Sequence, residues 1–137
     1  MAKEVIQDQI LLYHPRKSFT VISKGRVVNI LFEEITHASK YGNETMIYTV
    51  STHYKTSNNL REILNELPVN DFFRIHRSHI VALKFMNGVK RNRIVVGDFF
   101  LPVTKYYKVP LLARFAEIIN RNIFFTNKTL TAHESSV

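Results

Sequence analysis

Phe72-Phe73-Arg74-Ile75-His76-Arg77-Ser78-His79-Ile80-Val81 is the stretch on which the reading of this chain turns. Aromatic and β-branched residues dominate it, no proline or glycine interrupts it as far as Met86, and basic side chains are interleaved with the apolar ones. Such residues suit a half-buried pleated surface better than a helix, so the segment reads as strand. Immediately upstream, Ser57-Asn58-Asn59-Leu60-Arg61-Glu62-Ile63-Leu64-Asn65-Glu66-Leu67-Pro68 has helical spacing. Leu60, Ile63, Leu64 and Leu67 fall at i, i+3, i+4 and i+7, a Ser or Asn is available as a cap, and Pro68 stops the turn. Downstream, RNRIVV and DFFLPVT flank Gly97 as a hairpin, and Pro102, which cannot donate to a ladder, places its strand at an edge or bulge.

Working outward, SFTVIS and RVVNILF form a hairpin about Lys24-Gly25. EEITHAS is strand-like, KYGNE is turn chemistry, and TMIYTVSTHYKT alternates as a strand, giving a second hairpin whose tip runs from Lys40 to Glu44. From Tyr106 the pattern becomes helical, with Leu111, Leu112, Phe115, Ile118 and Ile119 as an apolar stripe and Pro110 near a first turn. The expected fold is mainly β (α+β): an elongated sheet with one short internal helix and a C-terminal helix. Residues 1–17 read as an N-terminal arm or first strand, 18–121 as the domain, and 122–137 as a polar tail.

The 137-residue length is that of one domain. There is no cysteine, which excludes disulfides, thiolate metal sites and a cysteine nucleophile. Glu4 and Asp8 interrupt the apolar run that a signal peptide requires, and Arg114, Glu117 and Arg121 interrupt the longest apolar stretch, so no membrane span and a cytoplasmic location are expected. The net charge of +8 is unevenly placed: Phe72 to Lys108 holds eight basic residues against Asp98 alone. Charge gathered this way attracts polyanions, although solvated charge on outward strand faces gives the same count.

Catalytic and cofactor chemistry finds little support. His76 and His79 have a spacing that would put two imidazoles on one helical face, but no third ligand is evident and two arginines would repel a dication, so no metal is expected. Ser78 beside His79 nominates no orienting acid for a triad. The four glycines are isolated turn formers, not a phosphate-cradling loop. Glu33-Glu34 and Glu62/Glu66 read as solvated charge. The chain is read as a non-enzyme without a cofactor.

The Phe72–Val81 core, placed after NLREILNELP and before a basic hairpin ending LPVTK, resembles the LytTR family closely. Glu34-Ile35 followed by Gly42-Asn43 resembles the family's upstream stretch, and the likeness covers about Ser18 to Arg121. It implies a mostly β DNA-binding domain of bacterial transcriptional regulators, often joined to a phospho-acceptor receiver, that inserts loops into successive major grooves at repeated half-sites. Carried over by position, the tip Lys40 to Thr45, Arg77 and Lys105 would face DNA. Within these, Lys40, Tyr41 and Asn43 belong to the tip, and Arg77 suits guanine while Asn43 suits adenine. Lys90, Arg91, Arg93 and Lys105 suit phosphates, and Ser78 and Thr104 are further donors to phosphate oxygens. Arg74 and His76 complete the set, with an equal reading in which they brace the turn through backbone bonds, and Tyr41 reads more readily as loop cover.

Departures from the family pattern bear on specificity. His79 replaces an aromatic, Ala82 an Asn, Lys105 an Arg and Glu44 a Tyr; lysine lacks the arginine fork and a carboxylate repels phosphate. Expected partners are duplex DNA, a second copy on repeated half-sites, and a sensor or regulator protein, since residues 1–17 are too few for a receiver unless the chain is a fragment. Competing readings are an interaction module with an incidental basic face and a non-specific nucleic-acid binder using Phe99, Phe100 and Tyr106.

Overall fold

The computed structural model describes residues 16–117. The expected arm and tail therefore fall outside the described residues, apart from Arg16 and Lys17. Ten strands, two α-helices and two single-turn 3-10 segments make up the described part. Strands β1 (Ser18–Ser23) and β2 (Arg26–Leu31) form the first hairpin, turning at Lys24 and Gly25 with φ of 52° and 74°. Strands β3 (Ile35–Tyr41), β4 (Glu44–Thr49), β5 (His53–Thr56), β6 (Phe72–His76) and β7 (His79–Ala82) form a five-stranded antiparallel sheet of order β5-β4-β3-β7-β6. Strands β8 (Met86–Lys90), β9 (Arg93–Val96) and β10 (Phe99–Pro102) form a third sheet of order β10-β9-β8, so Pro102 does lie on an edge.

Helix α1 (Leu60–Glu66) is short and well capped. The Asn59 side chain accepts from the Glu62 amide at 2.8 Å while the Glu62 carboxylate accepts from the Asn59 amide at 3.4 Å, a reciprocal box that satisfies two orphan donors. Helix α2 begins at residue 105 and runs to 117, the last residue described. Pro110 falls beyond its first turn, deeper than the sequence reading placed it; a proline there removes one helical hydrogen bond. No helix among the described residues is long and apolar enough to cross a membrane.

Two cores lie on opposite faces of the five-stranded sheet. Register puts Ala38, Ile47 and Ile80 on one face, where they join Phe19, Ile30, Leu60 and Ile63 beneath the β1–β2 hairpin and α1. Phe73 and Val81 sit on the other, where with Ile75 they join Ile94, Val96, Leu101 and Leu111 of the third sheet and α2. A cross-strand row on this second face, His53, Tyr48, His37 and Val81, is continued from the third sheet by Phe99, whose ring lies 4.7 Å from His37 and 5.2 Å from Tyr48. This aromatic joint ties the two sheets together.

One local feature departs from the sequence reading. TMIYTVSTHYKT is not one strand: it breaks after Thr49, whose hydroxyl accepts from the amides of Ser51 (3.4 Å) and Thr52 (3.0 Å) and donates to the Thr52 carbonyl (2.9 Å). A threonine hydroxyl thus makes a turn that no glycine or proline announced. The Phe72–Val81 stretch turns at Arg77-Ser78, where the family likeness implies a turn, by means set out below.

Candidate nucleic-acid interface

The β3–β4 tip turns at Gly42-Asn43, with Gly42 at φ 62°, a conformation that a glycine adopts without steric cost. Alternation along β3 sends Lys40 and Tyr41 to opposite faces; both are exposed, as is Asn43. The Tyr41 ring lies under the Lys55 ammonium, 4.8 Å from the ring centre.

The neighbouring β6–β7 turn, Arg77-Ser78, contains no glycine, and its shape is set by side chains. Arg74 donates through Nε to the His76 carbonyl at 2.8 Å and through Nη2 to the Arg77 carbonyl. His76 Nδ1 accepts from the Ser78 amide at 3.0 Å. Arg74 and His76 are thereby engaged with the backbone, which leaves the exposed Arg77 side chain projecting from a fixed base. His76 and His79 face each other across this hairpin, not along a helix, with ring centres 5.2 Å apart; His79 Nδ1 shares a 2.7 Å hydrogen bond with Ser39. Burial, and then the nearby His76, hold the His79 imidazole below its ordinary pKa, favouring the neutral ring. Among the described residues no cluster of three metal-ligating side chains occurs.

Backbone hydrogen bonds join these loops to the rest of the basic region. The Lys40 amide donates to the Ser78 carbonyl at 2.8 Å, the Thr104 amide to the Ile75 carbonyl at 3.0 Å, and the Val103 amide to the Asn92 carbonyl at 2.9 Å. Lys108 then donates to the Arg91 carbonyl (3.0 Å) and to Asn92 Oδ1 (3.2 Å), holding the β8–β9 turn against the start of α2. The elements therefore lie in sequence along one end of the sheet: the Gly42 tip, the Arg77 turn, the Thr104-Lys105 segment and the Lys90–Arg93 hairpin. Lys90, Arg91, Arg93 and Lys105 are exposed, and Arg91 occupies a left-handed conformation, φ 57°, at a turn position where glycine is favoured.

Lys40, Asn43, Arg74 and Arg77 also line one groove of about 330 Å³. Arg61 of α1, Tyr107 of α2 and Glu44 line it too. The sequence reading nominated neither Arg61 nor Tyr107. Nothing in their local pattern could have done so, because each is brought in by the packing of a helix that looks ordinary in isolation. Tyr41 lies on the other face of its strand from Lys40, and Lys90, Arg91, Arg93 and Lys105 do not line the groove; the Val103–Asn92 bond ties their hairpin to the segment that precedes α2.

Cations are thus set on turns along one sheet end and held in register by backbone bonds. The LytTr DNA-binding domain family matches residues 25–115, two thirds of the chain, and the chain belongs to that family, whose members are DNA-binding domains of transcription regulators. Its fold is similar to that of the LytTr DNA-binding domain of a protein described as a methyl-accepting/DNA response regulator from Bacillus cereus, with a TM-score of 0.63 at 16% identity, over 73% of this chain and 97% of that one. Comparison with curated proteins gives no match.

Proposed function

We propose that this chain binds duplex DNA sequence-specifically as part of a bacterial transcription regulator, with residues 18–121 as the binding domain and two copies acting on repeated half-sites. The Gly42 tip and the Arg77 turn enter the major groove, while Lys90, Arg91, Arg93, Thr104 and Lys105 hold phosphates on the flank. Arg77 offers a guanidinium fork to guanine O6 and N7, Asn43 an amide to adenine, and the ammonium groups displace counterions without reading sequence. The observation that carries this reading is the run of backbone hydrogen bonds from Lys40 to Asn92, which supports simultaneous contact by all four elements with one polyanion.

Arg91 adds to it. A non-glycine residue at φ 57° costs about 1–2 kcal/mol relative to right-handed backbone, and such cost accumulates where a side chain is wanted for its position. Selection of bound duplexes from random DNA tests the reading. An enriched motif with a fixed half-site spacing supports it, and recovery of unrelated sequences bound equally well removes it.

A further inference from the structure

A second basic groove, also of about 330 Å³, lies at the β5 edge of the five-stranded sheet. It is lined by Lys24 and Arg26 of the β1–β2 hairpin and by His53 and Lys55 of β5, together with Met46 and Tyr54, and no carboxylate contributes to it. Neither the family pattern nor the charge concentration between Phe72 and Lys108 points here, because Lys24, Arg26 and Lys55 are scattered in a part of the sequence that is nearly neutral in sum.

Its height on the sheet is informative. Lys55 is the register partner of Met46, two residues back from Glu44 at the start of β4, and His53 is the partner of Tyr48, two residues further. At roughly 3.4 Å per residue, the groove spans about 7 to 14 Å behind the tip. The major groove is about 8.5 Å deep. When the Gly42-Asn43 tip reaches the groove floor, the β5 edge therefore stands level with the phosphate ridge beside it. Lys55 marks the continuity directly, since its ammonium already covers the Tyr41 ring at the base of the tip, 4.8 Å from the ring centre.

We propose that Lys24, Arg26 and Lys55 form a phosphate clamp for the DNA backbone on the side of the tip opposite the Lys90–Arg93 hairpin, so that the tip is held from both flanks. The inference rests on the DNA-binding reading above. The clamp sets affinity and depth of insertion and reads no base, as expected of contacts to phosphate.

The test compares the full chain with a Lys24→Asn/Arg26→Gln/Lys55→Gln variant on a selected duplex and a scrambled one, across salt concentrations. Asparagine is chosen at position 24 because it tolerates the left-handed backbone found there, φ 52°. The variant is expected to bind both duplexes roughly tenfold more weakly and to lose about 2–3 from the slope of log affinity against log salt, at about 0.9 per phosphate released. The ratio of selected to scrambled affinity is expected to stay the same, and an Arg26→Lys/Lys55→Arg variant to bind as the parent does. An unchanged slope in the triple variant, with the parent protein still preferring its selected site, overturns the clamp. A parent protein with no preference between the duplexes overturns the base-reading proposal instead.

Discussion

Arg74 grips the turn that presents Arg77: its guanidinium donates to the carbonyls of His76 and Arg77 from the strand below. One arginine is thus engaged as scaffold so that another projects. Their roles separate by substitution. Arg74→Lys keeps the charge and loses the two-carbonyl fork. Affinity for the selected site is expected to fall about tenfold, or ~1.4 kcal/mol, with the salt slope unchanged, as measured by anisotropy titration. A loss confined to the slope would show Arg74 to be a phosphate contact instead.

Arg77→Ala removes the proposed guanine contact without touching the braces. It is expected to cost about 1–3 kcal/mol on the selected duplex and to relax discrimination at one position. A folded variant that binds undiminished would dismiss Arg77 as a reader.

Arg91→Gly relieves the left-handed strain at φ 57° while deleting a proposed phosphate contact. The expected outcome is opposed in sign: a melting temperature held or raised, and weaker binding to every sequence alike. Replacement by alanine keeps the backbone strain and so removes the contact alone, which separates the two effects.

His37 is buried in the aromatic joint, its ring 4.2 Å from Tyr48 and nearly parallel to it, and burial, followed by the nearby His79, lowers its pKa to about 4. The unfolded chain takes up this proton near pH 6.5 and the folded chain only near 4, so the contribution to stability is complete above pH 6.5 and is lost as pH falls toward 4. His79, shifted in the same direction, adds to the trend. Unfolding free energies from denaturant titrations are expected to fall through this window with a slope approaching about 1.4 kcal/mol per pH unit from His37, and His37→Gln to flatten the fall.

Asn59→Ala opens the capping box of α1 and is expected to lower stability by about 1 kcal/mol, read as a fall in melting temperature.

Hairpins at Gly25, Gly42 and Gly97 were legible in the sequence because each couples β-rich runs to a residue suited to left-handed backbone, and α1 because its apolar spacing and cap coincide. What escaped was the break after Thr49, whose hydroxyl separates β4 from β5 by bonding to backbone at short range. The turn braced by Arg74 and His76 was one of two readings that the family likeness left open for these side chains, and the structure has both bonded to backbone. Such bonds depend on geometry already formed, so residue type alone does not announce them. The set proposed to face DNA comes from the family likeness, and the structure adds neighbours to it. Arg61, Tyr107 and the Lys24, Arg26 and Lys55 groove emerge only when distant segments meet.

The bonds from Lys40 to Ser78, from Thr104 to Ile75 and from Val103 to Asn92 make the proposed interface a ruler. Its graduations are fixed by peptide geometry and cannot slide past one another without rupture. One extra base pair between two touched steps displaces the farther step by about 3.4 Å along the axis and, at about 10.5 pairs per turn, by roughly 34° around it. On the proposed reading, a domain joined in this way would respond to the spacing of its target as well as to its letters.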